Sequence, residues 1–149
     1  MIKYIKSTKN NIEQLMSIRF EMLKIVNTLP EEYAFSEELI TESKRYFENG
    51  NQSTVLAFDE DVIGCATICY IDVMPTFSHP SGKRAHLMNV YTNQKYRRQG
   101  IACEMLKMLI NEAKEKGVTE ISLDATESGR PLYKKMGFID SHECMVLSL

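Results

Sequence analysis

The chain has 149 residues, 44% of them apolar, enough for one core of ordinary domain size and too few for a second independent domain, so a single domain over residues 1–149 is expected. A formal charge of −2 among 26% charged residues lacks the basic excess of a nucleic-acid or anionic-membrane binder, so neither partner is expected and any positive site has to be local. The start, Met1-Ile-Lys-Tyr-Ile-Lys-Ser7, has no uninterrupted apolar stretch, and no later segment could span a bilayer, which makes a cytoplasmic location the expectation.

Taken in order, residues 2–5 read as a short strand. A helix opens near Asn10, with Asn10 as its cap and Glu13 reaching back, and an apolar face of Ile12, Leu15, Met16, Met22, Leu23 and Val26. Arg19 falls on that same face, where a cation either snorkels to the surface or faces a cleft. Pro30 interrupts the pattern; Ser36 then caps a second helix with Leu39, Ile40, Ser43, Tyr46 and Phe47 on one face, ending at Gly50. Residues 55–58, the turn Asp59-Glu60-Asp61 and residues 62–71 predict an antiparallel hairpin. Its second arm is almost continuously apolar, as in a central strand covered on both faces.

Residues 72–83, with Pro75, Pro80 and Gly82, read as a loop, and residues 85–92 as a strand. From Gly100 the period becomes helical, with Ala102, Met105, Leu106, Leu109, Ile110 and Ala113 on the dry face and Gly117 as terminator. A strand at 120–125, a short helix at 130–135 and extended segments over 137–149 complete a mixed α/β sheet. Cys65, Cys69, Cys103 and Cys144 show no paired spacing and are expected as buried, reduced thiols.

The informative junction is residues 90–102, Val-Tyr-Thr-Asn-Gln-Lys-Tyr-Arg-Arg-Gln-Gly-Ile-Ala, a strand running through a basic loop into an amphipathic helix. The first amides of a helix lack intrahelical acceptors and the dipole is positive there, so the backbone can hold phosphate oxygens. Gly100 and Ala102 are expected to leave the approach free of side chains, while Arg97 and Arg98 add charge. Other phosphate motifs fail: there is no G-x-G-x-x-G, and Gly82-Lys83 is followed by Arg84, with Phe77 where a P-loop needs its first glycine. A basic helix start by itself fits a capped core helix equally well.

Arg97-Arg98-Gln99-Gly100-Ile101-Ala102 resembles the [QR]-x-x-G-x-[GA] acetyl-CoA motif of the GNAT N-acetyltransferases, and Pro131-Leu-Tyr133-Lys-Lys-Met-Gly137-Phe138 resembles that family's LYxKxGF element at the usual distance. The resemblance implies a central, mostly antiparallel sheet with a splayed strand pair beside a bulge in the 85–92 strand. Acetyl-CoA would be the cosubstrate. Its pantetheine arm would meet the backbone of Val90, Tyr91 and Thr92, with the Val90 amide toward the thioester carbonyl, and its pyrophosphate would meet Arg97, Arg98, Gln99, Gly100, Ile101 and Ala102. Tyr133 matches the family's frequent general acid, the alternative being a ring that packs a short helix onto the sheet.

The chain departs from the family pattern at Thr126, where an Asn that hydrogen-bonds the pantetheine often sits; Thr can keep part of that role. His86 occupies, by distance from Arg97, the place that some members fill with a catalytic Glu. An imidazole suits a base acting directly or through water, although a half-buried strand histidine explains the position as well; His79 is a weaker candidate. The three histidines and four cysteines have no metal-ligand spacing, so no metal is implied, and no nucleophile motif appears, which leaves direct attack by the amine. The resemblance commonly implies a homodimer, a state these residues do not record. Three functions remain: an acetyltransferase for a small-molecule amine, one for a protein or peptide amine, and a non-catalytic acyl-CoA-binding module. Acceptor selection would fall to residues 19–33 and to the 72–84 loop.

Overall fold

The structure, a computed structural model, describes residues 1–149. Nine elements follow one another: β1 (Lys3–Lys6), α1 (Ile12–Val26), α2 (Glu37–Asn49), β2 (Gln52–Asp59), β3 (Asp61–Asp72), β4 (Lys83–Thr92), α3 (Ile101–Glu115), β5 (Glu120–Leu123) and α4 (Arg130–Lys135). The strands form one sheet in sequence order; β1 to β4 are antiparallel, and β5 joins β4 in parallel after crossing over through α3. This is the mixed α/β architecture read from the sequence. No helix is long and apolar enough to cross a membrane.

The near-continuous apolar run of β3 has the physical cause inferred from it, because both of its faces are covered. On one face Ala66 and Ile68 join Val55, Ala57, Ala85 and Leu87 under the stripe Ile101, Met105, Leu106, Leu109 and Ala113 of α3. On the other, Cys65 packs with Leu56 and Tyr91 under Leu15, Ile18 and Met22 of α1. Ser36 caps α2 by accepting the Leu39 amide at 3.2 Å, as expected.

Four expectations need correction. The reciprocal cap belongs to a 3-10 turn, Lys9–Asn11, that leads into α1: the Thr8 hydroxyl accepts the Asn10 amide (3.2 Å) and Asn11 accepts the Thr8 amide (2.9 Å), while α1 itself opens after Asn11 with no side-chain cap, neither from Asn10 nor from Glu13. Ile18 rather than Val26 belongs to the buried face of α1; Val26 lies in the last turn, past the sheet, and is 62% exposed. Residues 137–149 form no strand: Ile139, Met145, Val146 and Leu147 are exposed, and the consecutive apolar triplet lacks the alternation that would set a register. Of the cysteines, all free, Cys65 is buried, Cys69 and Cys103 are half-buried, and Cys144 is exposed because it sits on that unpacked segment.

Candidate active site

The sheet opens along β4. Residues 84–87 pair with residues 120–123 of β5, and the pairing ends at Leu87–Leu123, so β4 runs on from Met88 to Thr92 with no strand on that edge. The other edge is bulged: Met88 faces Thr67 and Tyr91 faces Cys65, which leaves Asn89 and Val90 opposite Ala66 alone. The bulge switches faces. Ala85 and Leu87 point toward α3, Met88 and Asn89 both face the α1–α2 side, and Val90 returns to the α3 side. The Asn93 amide donates to Ile63 of β3 (2.8 Å), so the two-residue alternation turns the backbone groups of Val90 and Thr92 toward the open edge and those of Tyr91 toward β3. Tyr91 is only 5% exposed and packs under α1, so its side chain belongs to the core rather than to the opening.

Asn89 explains the bulge. Its φ of 59° is left-handed, a conformation that Asn tolerates better than most residues, and its side chain is buried. A one-directional hydrogen-bond chain starts there: Arg19 Nη1 donates to Asn89 Oδ1 (3.2 Å) and Asn89 Nδ2 donates to Thr67 Oγ1 (3.1 Å). Thr67 then donates to Thr54 (2.7 Å), Thr54 to Gln52 Oε1 (2.7 Å), and Gln52 Nε2 to the Phe47 carbonyl (3.2 Å). The Cys65 thiol meets the Asn89 carbonyl at 3.2 Å, and burial pushes that thiol up to about 12, so it stays protonated.

Arg19, Asn89 and Thr67 of this chain floor a cleft of about 310 Å³ bounded by α1, α2, β3 and β4, lined also by Tyr46, Cys69 and Met88 among others. Arg19 therefore faces a cleft and does not snorkel outward. Burial draws its pKa below the ordinary guanidinium value, against smaller opposing contributions from Cys65 and Cys69. Burial and the neighbouring Cys69 likewise raise the Tyr46 hydroxyl, which remains a neutral donor.

At the other end of the opening, the start of α3 is bare. Gly100 precedes it with φ 78° and no side-chain cap, and the first helical amide with an intrahelical acceptor is that of Glu104, on the Gly100 carbonyl at 3.1 Å. The amides of Ile101, Ala102 and Cys103 thus remain available. A Cβ at Gly100 would meet no protein atom within 4 Å, so within the fold the glycine is required by its left-handed backbone. Arg98 is also left-handed (φ 65°), and Arg97, Arg98, Gln99 and Gly100 are all exposed. Arg97 donates through Nε to the Thr92 carbonyl (3.2 Å), tying the basic loop to the open edge. Ile101 is 2% exposed and offers only its backbone, while Ala102 is half-buried.

Tyr133 of α4 packs on the α3 side, edge-on to Phe138 with ring centroids 6.0 Å apart. Its pKa is raised by burial alone, with no hydrogen bond from the protein contributing. Thr126 lies beside that ring but accepts the Gly129 amide (3.2 Å), so its hydroxyl caps the turn into α4. His86, on the opposite face, reaches Ser122 through Nδ1 (2.8 Å) and Asp124 through Nε2 (3.6 Å), both belonging to the β5 side. His79 is bound to Thr119 (2.9 Å) and Glu120 (3.1 Å), outside the cleft. No group of three or more His, Cys, Asp or Glu side chains is arranged to hold a metal ion.

Of residues 19–33 and 72–84, the segments expected to select the acceptor, only Arg19 lines the cleft. Tyr33 instead packs against Phe35, which also contacts Phe20. The overlooked wall is α2, with Glu42, Ser43, Arg45, Tyr46 and Phe47, and the overlooked floor is Asn89. An Asn inside a strand was a readable signal for a bulge, since Asn is depleted in strands and accepts a left-handed backbone.

The bulged, splayed β4 followed by an uncapped, basic helix start defines an acyl-CoA-binding class of fold. The family model for Acetyltransferase (GNAT) matches residues 15–138, and the chain belongs to that family. A predicted acetyltransferase from Clostridium acetobutylicum, solved with acetyl-CoA, is 34% identical over 99% of this chain and 96% of that one, with a TM-score of 0.86. N-acetyltransferase 8 of Homo sapiens is 31% identical over 94 residues, and glucosamine 6-phosphate N-acetyltransferase of Trypanosoma brucei brucei 26% over 88, or 61% and 59% of this chain. The chain spans 40% and 58% of the lengths of those two relatives.

Proposed function

We propose that the protein moves an acetyl group from acetyl-CoA to the primary amine of a small molecule by direct attack in a ternary complex. The observation that carries this is the open edge of β4 at Val90–Thr92, set between the Arg19–Asn89 cleft on one face of the sheet and Tyr133 on the other. The residues present fit acetyl-CoA, because edge groups without a strand partner and unpaired helix amides flank one continuous basic loop. When bound, acetyl-CoA supplies an activated acetyl thioester.

The chain's own groups then have these assignments. Val90 and Thr92 hold the pantetheine by backbone, and the Val90 amide stabilises negative charge developing on the carbonyl oxygen. Arg97, Arg98 and Gln99, with the amides of the Gly100–Ala102 turn, hold the pyrophosphate. Tyr133, kept protonated by burial, gives its proton to the departing sulfur. His86, placed between Ser122 and Asp124, takes the ammonium proton before attack. Thr126 acts indirectly, by setting the turn that presents Tyr133. The modest volume of the cleft, about 310 Å³, favours a small acceptor over a polypeptide.

The test is acetyl-CoA consumption across polyamines, amino acids, aminoglycosides and peptides, followed by Tyr133→Phe with the best amine. The expected result is unchanged calorimetric acetyl-CoA affinity and a single-turnover rate lower by about 10²-fold. Equal rates would remove Tyr133 from the chemistry. Acetyl-CoA binding without turnover of any amine would support a binding module instead. In the same assay His86→Ala should alter the acidic limb of the pH–rate profile, and an unchanged profile would leave His86 as a tie between strands.

A further inference from the structure

We infer that the acceptor amine carries an anionic group, a carboxylate or a phosphate, and that Arg19 is the residue that binds it; this rests on the transfer chemistry proposed above. Arg19 sits on the buried side of α1, between Ile18 and Met22 in the core, and its guanidinium ends in the cleft. Half-buried cations are normally matched by a carboxylate, because removal from water is costly without one. Arg19 has no such partner. Among the ion pairs of the fold it makes none, and its one protein acceptor is the neutral Oδ1 of Asn89.

The other arginine of the cleft is different. Arg45 is paired with Glu42 at 2.5 Å on the same helix, so the cleft contains one compensated cation and one uncompensated cation. Burial, which removes the Arg19 guanidinium from water, draws its pKa below the ordinary value. A guanidinium has five N–H donors in a planar fork, and Asn89 occupies one direction of it. The remaining edge matches the paired oxygens of a carboxylate or phosphate.

Position narrows the acceptor further. Asn89 both holds Arg19 and precedes Val90, whose amide faces the open edge, so the anion would be bound next to the place where the amine reacts. The acceptor is then a compact molecule with its amine and its anionic group close together. The guanidinium is also held from behind by the chain that runs to the Phe47 carbonyl, which fixes its direction before a ligand arrives.

The experiment uses matched pairs: amino acids against their amides for the carboxylate, and glucosamine 6-phosphate against glucosamine for the phosphate. Binding to the protein saturated with CoA is read by calorimetry, which needs no turnover, and kcat/KM is read in parallel with acetyl-CoA. In the parent protein the anionic member of at least one pair should bind about 10- to 100-fold more tightly than its neutral partner, the scale of a hydrogen bond to a charged group. Arg19→Met should abolish that preference with CoA affinity intact, and Arg19→Lys, which retains charge without the fork, should keep a weakened preference. The pair that responds tells carboxylate from phosphate. Equal binding within every pair in the parent, or a preference that survives in Arg19→Met, would overturn the assignment. A binding preference without turnover would support Arg19 while contradicting the transfer chemistry.

Discussion

The two faces of the sheet are built on opposite principles. Under α3, a closed apolar layer runs from Val55 to Ala113. Under α1 and α2, a smaller apolar group gives way to a cleft floored by Arg19, Asn89 and Thr67, each polar group passing a hydrogen bond to the next and on to buried Thr54. The first face holds the strands in place. The second uses that rigidity to keep one strand bulged and one cation directed. A substitution under α3 should thus act through stability, and one under α1 through the geometry of the site.

The sharpest way to break this contrast is Leu106→Ala, at a fully buried position of α3. It should cost about 2–5 kcal/mol in urea unfolding and leave the KM for acetyl-CoA unchanged at temperatures where the variant stays folded. A changed KM with unchanged stability would mean that the two faces are not separable in this way.

Asn89 tests the other side. Asn89→Gly keeps the left-handed backbone but strands Arg19 and Thr67 without their partner, and should cost about 1–3 kcal/mol. Asn89→Ala should cost roughly 1 kcal/mol more, since it also opposes the positive φ. Turnover should fall in both. Equal stabilities of the two variants would show that the backbone conformation of the bulge carries no strain.

Smaller still is the expected effect at the start of α3. Gly100→Ala should destabilise by about 1 kcal/mol through its φ of 78°, and Gly100→Asn by less, because open space surrounds the position and only the backbone objects. If thermal melts rank Asn below Ala, a steric account would replace the conformational one.

The same contrast explains what could be read from the sequence. Periodicity reports apolar faces, so α3, the central strand β3 and the order of elements were all legible, and the two linked motifs at Arg97–Ala102 and Leu132–Phe138 located the family. A polar network has no period. Thr54, Thr67 and Asn89 come from three strands and meet only through register, and the wall formed by α2 depends on how that helix is laid across β3. The capping box at Thr8 was misplaced because helix ends are set by local hydrogen bonds that several neighbouring residues could make. The strand expected near the carboxyl end failed because the consecutive apolar triplet Met145-Val146-Leu147 lacks the alternation that sets a register.

Acetyl-CoA is expected to lie in the opening of β4 with its pyrophosphate at the start of α3. Residue-resolved amide exchange by NMR, with and without saturating acetyl-CoA, tests this directly. Slowed exchange is expected at Val90, Thr92, Ile101, Ala102 and Cys103, whose amides lie at the open edge of β4 or the uncapped start of α3, with no change in β1 or β2. Protection that spares these five amides, or that appears only elsewhere in the fold, would contradict it.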